Sequence, residues 1–380
     1  LILAMSLLDL KDTNQNNIAY NQPLSLESDM SYSNDNIAIS ALEFELGESR
    51  GSGQLTAQLG DKIIFDGQLS INSFNLDNYL APLKQKDTSA DNSNFNLEFL
   101  KNIEGKFNFK LGALRFNDKI ASQFDLDLKV YDSSIELSKA RLNMPGGSEF
   151  SANGLIGQVG DTPEFNGNVI INSGNLRAFL NWLKIDTSPI PDGRLTRLSY
   201  KGGLKANPDL LQFYEIDGAL DTFNFKGGLS YALQQRPAFG VDMTFSNLNI
   251  DNYKKASADQ PLNLKDQMAI LADFDANYKL TLRNVTFEGI KVKSINLAGD
   301  LFDGNLNGRT VKIDNYAGFD LSGSVVARTL GTDPDFDITM NATATTMVPL
   351  QRAYRFKTTF DIAQVGAVSV LAKIKGDLEK

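Results

Sequence analysis

The stretch from Phe165 to Leu183, FNGNVIINSGNLRAFLNWL, constrains the fold most, because the chain repeats it. Phe165, Gly167, Val169 and Ile171 alternate with Asn166, Asn168 and Ile170, the period of a β-strand with one apolar face. Leu176, Phe179, Leu180 and Leu183 then fall at i, i+3, i+4 and i+7, so a short amphipathic helix is expected there, with Asn175 as its N-cap. The same order of residues returns at Phe65 to Leu83, FDGQLSINSFNLDNYLAPL, and in weaker copies from Phe239 (FGVDMTFSNLNIDNY) and Phe336 (FDITMNATATTMVPL). A glycine stands 11 to 13 residues before each copy, at Gly53, Gly154, Gly228 and Gly323. The recurring unit reads strand, turn, strand, short helix, which points to a repeat array rather than a single-core domain.

The rest of the chain alternates in the same way. Ile103, Gly105, Phe107, Phe109 and Leu111 share one face of a strand. Phe124, Leu126, Leu128 and Val130 share the face of the next, with Asp125, Asp127 and Lys129 opposite. Turn signals such as Asp132-Ser133, Met144 to Ser148 and Asp303-Gly304 separate the runs. The expected fold is all-β and mainly antiparallel, a long curved sheet forming an apolar groove, with short helices after each repeat. Residues 1–380 read as one continuous array. Approximate repeats cover 18–83, 103–183, 193–255 and 274–352, and 356–380 opens another. Residues 1–10 read as a turn or two of helix, and Lys84 to Asn94 and Lys254 to Leu264 read as polar loops.

Composition removes several function classes. The net charge of −9 lacks the basic footprint that nucleic acid requires. There is no cysteine, so neither a disulfide framework nor a thiolate metal site is available. Histidine is also absent, which removes His-activated nucleophiles and the commonest general base. No apolar run is long enough to cross a membrane as a helix. The opening LILAMSLLDL, without a basic flank, does not read as a signal peptide, and an internal fragment is expected, with any membrane anchor outside it.

Four clusters hint at chemistry, and each has a plainer reading. Glu43/Glu45 and Asp125/Asp127 are i, i+2 acid pairs, but both lie opposite apolar residues, as on a solvated sheet face. Asp300 to Gly308 hints at a calcium loop, yet Phe302 and Val311 occupy positions that need acids, so a hairpin turn is expected instead. Gly51-Ser52-Gly53 lacks a third glycine at Thr56 and a following helix. Arg194, Arg197, Lys201 and Lys205 could meet anionic headgroups, but a solvated face explains them too. No catalytic residue, metal or cofactor is expected.

The remaining feature is the apolar face itself. In the first half it comprises Phe65, Leu69 and Ile71; Phe107, Phe109 and Leu111; Phe124, Leu126 and Leu128; and Phe165, Val169 and Ile171. In the second half it comprises Leu198 and Tyr200; Phe223 and Phe225; Phe239 and Phe245; Phe319 and Leu321; and Phe336 and Ile338. The short helices look too few to cover it. Lipid acyl chains are an apt cover, since each buried methylene gains about 0.8 kcal/mol. The alternative is a structural or adhesive envelope repeat protein whose side chains fill their own core. An enzyme acting on carbohydrate with carboxylates alone is the weakest reading.

The pair FDGQLSINSFNLDNYL and FNGNVIINSGNLRAFL, with MPGGSEFSANG before the second, resembles the AsmA family of bacterial envelope proteins, most closely over Ile103 to Leu183. The resemblance implies a non-enzymatic β-groove that carries phospholipid between inner and outer membranes and serves outer-membrane assembly. It further implies a periplasmic body held to the inner membrane by an N-terminal helix that this sequence lacks. The family has no catalytic motif to carry over.

Overall fold

The computed structural model describes residues 22–80, 97–160, 162–254 and 268–377. The expected helix over 1–10 and the polar loops over 84–94 and 254–264, apart from Lys254, lie outside the described residues. The chain is all-β, with a mostly antiparallel sheet that is not closed. It packs as two compact units that divide between Ile185 and Asp186.

In the first unit, β1 (Leu24–Ser33), β2 (Asn36–Leu46), β3 (Ser49–Gln58) and β4 (Ile63–Asn75) precede helix α1 (Asp77–Leu80). A 3-10 turn at Glu98–Asn102 then leads into β5 (Ile103–Phe116), β6 (Lys119–Tyr131), β7 (Ser134–Met144), β8 (Ser148–Val159) and β9 (Thr162–Ser173), and α2 (Leu176–Trp182) follows. Each strand pairs with the next, antiparallel throughout except β4–β5, which is parallel. Asn34-Asp35, Asn117-Asp118 and Asp132-Ser133 all have positive φ, from 47° to 60°, the two-residue hairpin turn that suits Asn and Asp.

The second unit holds β10 (Leu198–Asn207), β11 (Leu210–Leu220), β12 (Phe223–Ala232) and β13 (Ala238–Ser246), then a 3-10 turn at Ile250–Tyr253. Another 3-10 turn, Ile270–Asp273, precedes β14 (Asp275–Phe287), β15 (Ile290–Phe302), β16 (Asn305–Tyr316), β17 (Phe319–Arg328) and β18 (Asp335–Ala344). Helix α3 (Val348–Tyr354), a 3-10 turn at Ile362–Gln364 and β19 (Val368–Asp377) complete it. Pairing is again sequential, with one parallel ladder, β13–β14.

The two units share a nine-strand plan. Strands β1–β9 and β10–β18 have the parallel ladder at the same place, after the fourth strand. Their second strands carry the same bulge, where Ala41 (φ 46°) and Glu215 (φ 51°) occupy the left-handed region. The sequence Asn-x-Asp-Asn-Tyr follows the fourth strand in both, at Asn75 to Tyr79 and Asn249 to Tyr253. Its aspartate does the same task in each. Asp77 accepts from the backbone N–H of Asn117 (2.8 Å) and Asp118 (3.1 Å), and Asp251 from Glu288 (2.8 Å) and Gly289 (2.9 Å). The motif thus ties the end of one strand to the turn beyond its parallel neighbour.

Three sequence expectations are corrected. An α-helix was expected after each copy, but a 3-10 turn, Ile250–Tyr253, follows the third. The glycine matching Gly53 and Gly323 is Gly227, not Gly228. Gly53, Gly227 and Gly323 face Leu69, Met243 and Met340 on the apolar side, whereas Gly228 faces Asp242. In α2 the stripe through Leu176, Phe179, Leu180 and Leu183 missed Trp182. That indole is 6% exposed and donates from Nε1 to the Phe116 carbonyl at 2.6 Å, whereas Leu183 is 40% exposed. The Asn175 side chain caps α2 through the Ala178 N–H at 3.0 Å, as the sequence indicates. The helix therefore docks at the rim, on the β5–β6 turn, where the Asn117 amide also donates to the Trp182 carbonyl.

Deep burial concentrates at the rims. Leu97, Val285 and Leu330 are 1% exposed, and each lies at a strand end or connection. The clearest cluster, Leu301, Ala327 and Leu330, is covered by Met268, Leu271 and Phe274 from the turn that enters β14.

Candidate apolar binding face

Register decides which side chains share a face, because residues paired across a ladder point the same way. In the first unit one row crosses all nine strands: Tyr32, Ile37, Ala57, Phe65, Gly105, Val130, Ile135, Ile156 and Phe165. The next row runs Met30, Ile39, Leu55, Gly67, Phe107, Leu128, Leu137, Gly154 and Gly167. A third runs Leu42, Gly53, Leu69, Phe109, Leu126, Ala140, Ala152 and Val169. Leu26, Phe44, Gly51, Ile71, Leu111 and Phe124 begin a fourth, and Phe150 opposite Ile171 lies on the same face. Apart from the Tyr32 hydroxyl, these rows are hydrocarbon and backbone.

The second unit repeats the pattern. One row joins Tyr200, Gly218, Phe225, Phe245, Leu282, Ile295, Ile313, Leu321, Ala342 and Val370 across ten strands. Another joins Leu211, Tyr231, Phe239, Ala276, Leu301, Leu306, Ala327 and Phe336. Leu198 opposes Leu220, which opposes Phe223; Phe319 opposes Ala344; and Ile338 opposes Val325. At about 4.8 Å per strand, nine strands make a row roughly 40 Å long.

Every residue expected to line the groove therefore falls on the apolar face of its own unit. Their exposure shows how well that face is covered. Leu111, Val169, Phe223 and Phe319 are buried, at 4% to 8% exposure, and the other residues named for the groove are half-buried. Two packed inner faces of a sandwich would bury the central aromatics completely. Here the rings lie along the sheet instead. Phe107 crosses Gly67, and Phe225 crosses Gly218 with its Cζ 2.3 Å from where a Cβ would stand. Glycine opposite an aromatic lets the ring lie low against the backbone, which keeps the face smooth.

Tyrosine hydroxyls are the polar atoms on the second unit's rows. Burial pushes the Tyr200 and Tyr278 hydroxyls above their ordinary pKa, and the Tyr200 oxygen has no hydrogen-bond partner. Tyr278 reaches across Gly299, with its hydroxyl 2.5 Å from the position of a Cβ there. Alternation finds Tyr200 only as an apolar-face residue, and register adds Tyr278, which stands between Val241 and Gly299 on the same face. The register set beside the glycine positions is what reveals their reach.

The opposite face is polar and laced with cross-strand ion pairs. Lys139 pairs with Asp125, and the Asn108 amide with Asp127. Lys129–Glu136, Lys226–Asp217 and Lys279–Asp242 each stand at 3.0 Å, and Arg50–Glu45 at 2.9 Å. The acid pairs are thus part of this polar face, Glu43 standing opposite Glu27 in register. Asp303-Gly304 is a hairpin turn, with φ of 47° and 68°. Lys201 and Lys205 lie on the polar face of β10, while Arg194 and Arg197 precede that strand. Among the described residues, no group of three or more acidic side chains is placed to hold a metal ion, and no helix is long and apolar enough to cross a membrane. No protein-family model, curated protein or solved structure matches this chain.

Proposed function

We propose that the chain is a non-enzymatic lipid-handling module of the bacterial envelope, holding phospholipid acyl chains against its apolar face. The observation that carries this is the set of unbroken apolar rows, half-exposed across nine or ten strands, backed by a face that is charged and paired. A row of roughly 40 Å exceeds one acyl chain, which spans half of a hydrocarbon core of about 30 Å. Transfer from water gains about 0.8 kcal/mol per methylene, whereas transfer from a bilayer exchanges one apolar surroundings for another. Lipid can then move on and off without an energy source in the chain itself.

The resemblance to the AsmA family supports the same reading. It implies a periplasmic module, anchored to the inner membrane by a segment outside these residues, with traffic to the outer membrane as its task. The test is native mass spectrometry with lipid extraction after gentle purification. Co-purifying phospholipid is expected. A clean apo protein that also takes up no added phospholipid would sink the reading and favour the rival, a structural envelope repeat whose side chains fill their own core. The Leu301–Ala327–Leu330 cluster, packed by Phe274 and Phe336, is the part of the face that favours that rival.

A further inference from the structure

Along β4 and β5, the apolar face changes character toward the rim that carries α1. Residues at spacing two share a face, so one side of β4 runs Phe65, Gly67, Leu69, Ile71, Ser73, Asn75. The matching side of β5 runs Phe107, Phe109, Leu111, Ala113, Arg115. The ladder is in register throughout: Ile71 stands beside Leu111, Ser73 beside Ala113 and Asn75 beside Arg115. Hydrocarbon gives way to hydroxyl, and hydroxyl to amide and guanidinium, within four residues, or about 13 Å.

A cavity of about 600 Å³ opens at the polar end. Ser49, Ser73, Asn75, Asn78, Glu48 and Arg115 are among its lining residues. Arg115 pairs with Asp118 at 3.3 Å, but their side chains are 54% and 90% exposed, so this pair is weak and leaves the guanidinium free to take another anion. In the second unit the corresponding pair is Asn249 beside Thr286, so the guanidinium has no counterpart there.

We infer that this cavity is a headgroup site for a zwitterionic phospholipid. The acyl chains lie along Phe65 to Ile71 and Phe107 to Leu111. The phosphate meets the Arg115 guanidinium and the Ser73 hydroxyl, with amide N–H donors from Asn75 and Asn78. The ammonium of the headgroup faces Glu48, the carboxylate of the site. The guanidinium suits phosphate because its planar fork donates two parallel hydrogen bonds. This inference rests on the lipid-handling reading above and adds the headgroup class and the place where it sits.

The test compares three probes with identical dioleoyl chains, phosphatidylethanolamine, phosphatidylglycerol and diacylglycerol, titrated into the whole chain and read by native mass spectrometry. Phosphatidylethanolamine should bind best. Arg115→Gln should cut the preference for phospholipid over diacylglycerol by about tenfold or more, leaving diacylglycerol uptake as it was. Glu48→Gln should remove the preference for ethanolamine over glycerol. Arg50→Gln, on the opposite face and paired with Glu45, should change neither. If diacylglycerol binds as well as phospholipid to the native chain, or Arg115→Gln leaves the preference intact, the headgroup site is wrong while the apolar face stands. If none of the three lipids binds, the lipid-handling reading falls and the headgroup site falls with it.

Discussion

Gly154 on β8 and Gly167 on β9 stand opposite each other, so close that a Cβ on Gly154 would lie 2.6 Å from the Cα of Gly167. The ring of Phe165 lies across both, its Cζ 2.6 Å from a Cβ built on Gly167. Backbone atoms close the remaining space, the Asn153 carbonyl oxygen at 2.2 Å and the Asn166 carbonyl oxygen at 2.6 Å from the two Cβ positions. A methyl at either site must push the strands apart. Gly167→Ala is expected to destabilise the first unit by about 2–3 kcal/mol. Gly157→Ala, whose nearest neighbour is the Ser134 hydroxyl at 3.7 Å, should stay within about 0.5 kcal/mol of the native chain. Urea unfolding of both variants decides it, and equal effects would show that the glycine pair is not the constraint.

Trp182 is the one tryptophan of the chain and it sits at the rim of the first unit. Its ring meets Phe116 edge-on at 5.6 Å while its N–H satisfies the Phe116 carbonyl. Trp182→Phe keeps much of the apolar contact and orphans that carbonyl, so a loss of about 1–3 kcal/mol is expected. The native indole should emit at short wavelength and shift to the red when α2 undocks. A red-shifted emission from the folded native chain would contradict the docked helix.

Much of this fold was legible because alternation is a local signal. A strand with Phe107, Phe109 and Leu111 on one side announces its own inner face. What the sequence hid is pairing between distant segments. Nothing in the text of Phe65 to Asn75 or Ile103 to Phe116 says that β4 and β5 run parallel. That fact alone aligns Asn75 with Arg115 and makes the rim cavity. Trp182 was missed for a related reason. The helical stripe anticipates contact with a flat face, whereas α2 meets the end of a hairpin, and the residue that reaches over the rim lies off the stripe. The paired tasks of Asp77 and Asp251 were present as a repeated Asn-x-Asp-Asn-Tyr, but a capping role needs the turn forty residues away to be in place.

Acid should weaken the clamp that Asp251 makes. The backbone N–H of Gly289 donates to its carboxylate, as does that of Glu288, and these bonds hold its pKa below the ordinary aspartate value against the opposing effect of burial. A folded-state pKa below the unfolded one means the group stabilises the fold above the unfolded value, about 3.9, and loses that contribution as pH falls through the folded value. Asp251→Asn removes the charge and keeps the shape. The difference in unfolding free energy between native and variant chains should be present at pH 7 and shrink toward pH 3. A difference that stays constant over that range would mean the carboxylate charge is not what holds the turn.

The face itself is tested by placing a charge on it where side chains are not already packed. Val169 is a poor choice, since at 4% exposure a glutamate there would be destabilising under any reading. Phe109 is better placed. It is half-buried, its ring meets Phe124 edge-on at 5.8 Å, and Leu69 and Leu126 flank it in register. On an open face, the carboxylate of Phe109→Glu can tilt toward water, so the loss of stability should be limited to the lost ring contact and apolar burial, about 1–2 kcal/mol. In a side-chain-filled core the same change buries an unpaired charge and should unfold the unit, a loss of more than about 4 kcal/mol. Phospholipid uptake should fall sharply in the folded variant, because acyl chains would have to pass a carboxylate midway along β5. Calorimetric unfolding and transfer of a fluorescent phospholipid, measured on one sample, separate the outcomes. A folded variant that still takes up lipid at the native rate would remove this face as the binding surface.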